Sequence, residues 1–258
     1  MNRILFAADE IDRPLAPFDP RLVHLRTVLK AQVGDTVAVG VIDGPIGTAT
    51  VTAIGRDGAV LACRWEDQAG PPLLPITCVL GHPRPLVLKR VIRDLCSVGV
   101  GRLIVCNSDL SERSYFASSL WQGDTVRDLL IDGASIAGAV RLTEVVRAES
   151  TAAARALVAE EGVALRLVLD EALHNRADSV VGFDAAPPPA VAVAVGCERG
   201  WTAAERAGFV ADGWVSAGLG PRVLRTETSV TAICTLLALW YHRSTSDTKT
   251  ELTTKNSK

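Results

Sequence analysis

The chain has 258 residues, room for one large domain or two smaller ones, and 48% hydrophobic residues suffice for a sizeable core. A formal net charge of −2 excludes polyanion recognition by global charge, so nucleic-acid binding would need a local basic patch. The six cysteines form no C-x-x-C pair and none has a histidine at zinc-ligand spacing, which argues against a metal site and suits a reducing cytoplasm.

No basic start leads into an apolar stretch, so no signal peptide is expected, and no uncharged apolar run is long enough for a membrane span. The first seventy residues read as β structure. Alternating runs "DTVAVGVI", "GTATVTAI" and "AVLACRW" are separated by Asp43-Gly44 and Asp57-Gly58, pairs that favour tight hairpin turns. Short strands joined in this way predict a small barrel over residues 1–70. The proline cluster "QAGPPLLP" then breaks the pattern and marks a domain boundary.

From residue 74 the rhythm becomes strand, helix, strand, helix. "ITCVLG" is a strand, and "PLVLKRVIRDLCSVG" a helix with Leu88, Val91, Ile92 and Leu95 on one face and Gly99 closing it. "RLIVC" is a strand and "NSDLSERS" a polar loop; Asp124 caps a helix through "TVRDLLIDGASIAGA". "RLTEVV" and "LRLVLD" are strands around a helix that ends at Gly162, and "VAVAV" is a strand buried on both faces. This alternation predicts an α/β domain over 74–243, with an open, mainly parallel sheet between two helical layers. Residues 244–258 lack apolar periodicity and read as a disordered tail.

Two strand-to-helix loops carry the candidate chemistry. In "VAVGCERGWTAAE", Gly196 and Gly200 bare the backbone for a ligand, and Thr202 with Glu205 forms a capping box; an ordinary βα turn would look the same. In "GLGPRVLRTETSVTAI", Gly218, Gly220 and Pro221 force a turn before a helix with Thr226 or Thr228 as N-cap. That helix is expected to bury Val230, Ile233, Leu236, Leu237 and Trp240. Arg222 and Arg225 stand beside a helix start that is itself partly positive. They repel each other unless an anionic ligand, or a carboxylate such as Glu198 or Glu227, lies near.

"VGCERGWTAAE" followed by "LGPRVLRTETSVTAI" resembles the C-terminal signature of the ribosomal RNA small subunit methyltransferase E family, of the SPOUT class. "SERS" at 111–114 and "VHLRTVLKAQVGD" at 23–35 extend the resemblance over nearly the whole chain. Cys197 stands where the family has proline, Arg199 where it has glycine, and Ser229 where it has alanine. The resemblance implies a PUA-like N-terminal barrel, a SPOUT trefoil-knot domain, a homodimer, and S-adenosylmethionine as cofactor. It implies donor contacts at Leu169, Gly196, Glu198, Gly200, Leu219, Gly220, Leu224 and Arg225, and methylation of a uridine N3 in 16S rRNA. Arg225, and secondarily Arg222, would then steady the charge of the reacting base, with Glu198 as a possible base. Arg26, Lys30, Lys89, Arg90 and Arg113 are candidate RNA contacts. The competing readings are an inactive RNA-binding or ribosome-assembly relative and a SPOUT methyltransferase with another RNA target.

Overall fold

The computed structural model describes residues 3–170, 183 and 185–255, with side chains as far as residue 243. The chain divides into two compact units: Met1–Pro72 with Ile131–Leu142, and Leu73–Leu130 with Thr143–Lys258.

In the first unit, β1 (Ile4–Phe6), β2 (Thr36–Val41), β3 (Pro45–Ile54) and β4 (Ala59–Ala69) form one sheet in that order. β1 is parallel to β2 and the other pairs are antiparallel. The expected turns are present: Asp43 takes a φ of 58° and Gly58 a φ of 146°. Strand alternation turns Val39, Ala49, Val51, Ala59 and Leu61 into a core shared with Ile4 and Phe6. An all-β reading of this region is incorrect, because Pro20–Thr27 forms helix α1. The Asp19 carboxylate accepts the Arg21 N–H at 2.8 Å and Pro20 fills the first helical position. Only Leu22 and Leu25 of this helix are buried, too short a stripe to display a helical period.

Helix α3 (Thr125–Ala137) contains the division between the units. Its later residues and the loop after it belong with the first sheet, whereas the sequence placed all of 74–243 in one domain. Arg3 N–H donates to the Ser135 carbonyl at 2.9 Å, and Ser135 Oγ donates back to the Arg3 carbonyl at 2.7 Å. The Arg3 guanidinium reaches the Gly138 and Val39 carbonyls at 2.9 and 2.5 Å, and Asp43 N–H donates to Val140.

The second unit is an all-parallel, six-stranded sheet. Its strands are β5 (Leu74–Gly81), β6 (Val100–Cys106), β7 (Glu144–Ala148), β8 (Leu165–Leu169), β9 (Val191–Val195) and β10 (Val215–Ala217). Their order is β10-β8-β9-β5-β6-β7. Chain direction across the sheet reverses between β5 and β9, the kind of switch point beyond which α/β sheets bind ligands. β9 is buried at every residue, as its unbroken apolar run predicts.

Helices α2 (Pro85–Val98) and α6 (Thr226–Lys255) pack together, while α4 (Thr151–Glu160) packs with α5 (Ala203–Ala211). β5 separates these pairs by its two-residue period: Cys78 meets Cys234 of α6, while its neighbour Val79 shares a core with Ala154 and Val158 of α4. The α2 face is as expected, with Leu88, Val91, Ile92 and Leu95 buried and Gly99 closing the helix at φ 85°.

α6 differs from expectation in three ways. It starts at Thr226, so neither Thr226 nor Thr228 precedes it as a cap, and the Arg225 carbonyl accepts the Ser229 N–H. Leu236 is exposed, while Val230, Ile233, Cys234 and Leu237 are buried. The helix continues to Lys255 where a disordered tail was expected; no glycine or proline interrupts it. Among the described residues no helix is long and apolar enough to cross a membrane, and no cluster of acidic, histidine and cysteine side chains could hold a metal.

Candidate active site

Two glycine-rich loops leave the carboxyl ends of β9 and β10. After β9, Gly200 takes a φ of 71° and donates its N–H to the Cys197 carbonyl at 2.9 Å, closing a tight turn. Gly196 stands so close to this turn that a Cβ there would lie 2.6 Å from the Gly200 carbonyl carbon. The expected capping box forms: Thr202 Oγ1 accepts the Glu205 N–H and the Glu205 carboxylate accepts the Thr202 N–H. The buried Glu205 also accepts the Asp109 N–H at 2.9 Å, tying the loop after β6 to α5.

These loops and the end of β8 enclose a cavity of about 550 Å³. Leu169, Gly196, Glu198, Gly200, Leu219, Gly220, Leu224, Arg222 and Arg225 all line it, so three separated stretches of sequence converge on one space. Sequence reasoning missed Arg84, Val87, Asp170, Trp201 and Arg206, which also line it. Asp170 carried a signal, as the last residue of "LRLVLD" at a strand's carboxyl end. Arg206, within α5, and Arg84, in the segment between β5 and α2, carried none.

The charges sort themselves. Asp170 pairs with Arg206 at 3.6 Å, and Glu227 lies 4.0 Å from Arg90. Glu198 accepts the backbone N–H of Arg84 at 2.9 Å, at the start of α2. Arg222 and Arg225 are exposed, and neither guanidinium makes an ion pair or hydrogen bond among the described residues. Both carboxylates that could have neutralised them are engaged elsewhere. Two guanidiniums therefore stand beside the α6 N-terminus at the cavity wall, a setting that favours negative charge.

The candidate RNA contacts lie outside this cavity. Arg26 and Lys30 are exposed in the first unit. Lys89 and Arg90 lie on α2, where Arg90 faces Glu227, and Arg113 is exposed at the start of a 3-10 segment. Of the histidines, none described lines the cavity, and His174 lies outside the described residues.

His82, just beyond β5, is fully buried. Its Nε2 accepts the Trp121 indole N–H at 2.9 Å, which leaves Nδ1–H to donate to the Pro83 carbonyl at 2.7 Å. Burial holds its pKa below the ordinary 6.5. The folded state thus binds fewer protons at this site than the unfolded chain. The stability it contributes is complete above pH 6.5 and is lost as pH falls from there through the depressed value. Urea unfolding at pH 7.5 and 5.5 is expected to show a larger acid loss in the parent than in His82→Asn.

A family model for the RNA methyltransferase domain matches residues 70–238. The chain is similar to ribosomal RNA small subunit methyltransferase E of Treponema pallidum, at 30% identity over 243 residues, covering 92% of this chain and 90% of that protein. Its fold is similar to that of a ribosomal RNA small subunit methyltransferase E from Neisseria gonorrhoeae bound to S-adenosyl methionine. The TM-score is 0.68 at 18% identity, covering 93% of this chain and 98% of the other. A methyltransferase from Legionella pneumophila, in complex with the same cofactor, gives a TM-score of 0.67 at 19% identity over 92% and 97% of the two chains.

Proposed function

The chain belongs to the ribosomal RNA small subunit methyltransferase E family, and from that premise we propose that it methylates N3 of a uridine in 16S rRNA, using S-adenosylmethionine. The observation that carries the reading is the pair of guanidiniums, Arg222 and Arg225, on the wall of the cavity with no partner among the described residues.

The cavity fits the donor. Its volume falls within the range of small-molecule sites, about 300–1,000 Å³. Gly196, Gly200 and Gly220 carry no side chain to block the backbone edge from the adenosine, and Leu169, Leu219 and Leu224 offer apolar contact to adenine. The donor, when bound, supplies an electrophilic methyl group on its sulfonium. Uridine N3 carries a proton at neutral pH and becomes nucleophilic as that proton passes to solvent water at the mouth of the cavity. Negative charge then spreads onto O2 and O4, where Arg225, seconded by Arg222, stabilises it. Glu198 serves better as a positioning group than as a base, since its carboxylate already holds the start of α2.

The departures at Cys197 and Arg199 do not favour an inactive relative. Cys197 Sγ is buried and turned toward the Gly200 carbonyl at 3.7 Å, and Arg199 points to solvent without lining the cavity. The remaining assignments follow the family: a PUA-like barrel, a trefoil knot, a homodimer, and action in the cytoplasm on 16S rRNA, with the assembled small subunit as the form acted on. Exposed Leu86 of α2 and Leu236 and Leu239 of α6 support a dimer surface on that helical layer. Trp240 and Tyr241 of the same helix donate to the Ala185 and Pro188 carbonyls of their own chain.

N3-methyluridine blocks Watson–Crick pairing and stalls reverse transcriptase. Comparing rRNA from cells with and without the gene is expected to reveal one lost stop, at a uridine of 16S rRNA. Identical profiles overturn the assignment.

A further inference from the structure

Beyond the cavity, the same edge of the parallel sheet carries a second built surface. Tyr115, Phe116 and Trp121 follow β6, Arg147 lies near the end of β7, and His82 follows β5. These are the carboxyl ends of three adjacent strands, the ligand-binding edge of such sheets. The three aromatic side chains are half-buried and Arg147 is exposed.

The geometry is ordered. The Phe116 and Trp121 rings lie 13° from parallel with centroids 5.7 Å apart. The Arg147 guanidinium carbon sits over both, 4.7 Å from the Phe116 centroid and 5.1 Å from that of Trp121. Its Nη2 donates to the Phe116 carbonyl at 3.4 Å, and it has no acidic partner among the described residues. From below, His82 locks the rings: it accepts the Trp121 N–H and meets Phe116 edge-on at 4.6 Å. A rigid cation–aromatic stack with a solvent-facing guanidinium is the composition that holds unpaired bases, since every base has a π-face and Arg offers a plane to it. Arg113, exposed in the same 3-10 segment as Tyr115 and Phe116, supplies a further cation for the backbone.

We infer that Arg147, Phe116 and Trp121 form a stacking platform for an unpaired base of the RNA substrate, separate from the cavity. The inference rests on RNA being the substrate class, and it does not depend on which atom is methylated.

The test uses the full chain, a short unstructured single-stranded RNA, and an abasic strand with the same phosphates. Arg147→Ala is expected to weaken binding of the base-bearing strand about tenfold, the range for loss of one stacked base. Binding of the abasic strand and of S-adenosylmethionine stays unchanged. Arg147→Lys, which keeps the charge and loses the plane, behaves like the alanine variant, and Phe116→Leu weakens binding without unfolding the chain. Unchanged binding by Arg147→Ala and Phe116→Leu overturns the platform. So does full rescue by lysine, or an equal loss on the abasic strand. A Trp121-dependent emission change that follows protein concentration without RNA makes the surface a self-contact and also overturns it. Methyl transfer by the parent protein is read separately. Base-dependent binding without N3 methylation sinks the reaction assignment and leaves the platform standing; methylation with variant binding unaltered does the reverse.

Discussion

Replacing Arg225 by alanine is expected to lower kcat for methyl transfer by about 10²–10³-fold, the size of effect seen when one preorganised charge-stabilising donor is removed. S-adenosylmethionine affinity should change far less, because the donor contacts proposed above come mainly from backbone groups and leucines, which the substitution leaves in place. The argument is electrostatic. Arg225 lies on the cavity wall, one residue before α6, with no carboxylate to neutralise it among the described residues. Such a group is worth little in the resting protein and much when charge develops beside it. Arg225→Lys should recover only part of the loss, since an ammonium cannot present two parallel donors to one oxyanion. Single-turnover transfer, with donor binding followed by calorimetry, separates the two quantities. Full transfer by the alanine variant removes Arg225 from the reaction.

The second large effect is expected at Gly196. An alanine Cβ there would stand 2.6 Å, 2.7 Å and 2.9 Å from the carbonyl carbon, Cα and carbonyl oxygen of Gly200. All three are backbone atoms, so no side chain can rotate out of the way. The turn is pinned on one side by buried Val195 and on the other by the Cys197–Gly200 pairing. Gly196→Ala must therefore open the turn that forms part of the cavity wall, and donor affinity should fall at least about 100-fold, with a stability loss of about 1–3 kcal/mol for overpacking. Gly213→Ala is the control. Its φ of 80° also disfavours alanine, but nothing lies within 4 Å and it does not line the cavity. It should cost about 1 kcal/mol and leave donor binding intact. Equal donor affinity in the two variants would show that the turn does not shape the site.

Much of this was legible because local chemistry and tertiary structure agree. The α2 stripe, Gly99, the Thr202–Glu205 box and the unbroken apolar run of β9 each state their own geometry. The cavity loops were readable because glycines and arginines cluster just after strands. Helix α1 was hidden because two buried leucines make no period. Arg84 and Arg206 were hidden because they meet the other loops only through the sheet's strand order, in which β9 lies between β8 and β5 although β5 and β9 are more than a hundred residues apart in sequence. The His82–Trp121–Arg147 stack draws on three strand ends, and no window of sequence contains it.

The return of residues 131–142 to the first sheet has a practical consequence. The polypeptide crosses between the two units three times, so neither is a contiguous stretch of gene. A fragment cut after Pro72 would strip Arg3 of its Ser135 and Gly138 partners and leave the Asp43 amide without Val140. Excised halves should therefore aggregate when expressed alone, and co-expression of two pieces should succeed only where the break falls in an exposed loop rather than at the seam. Shuffling this N-terminal module onto another enzyme would have to carry the distant insert along with it.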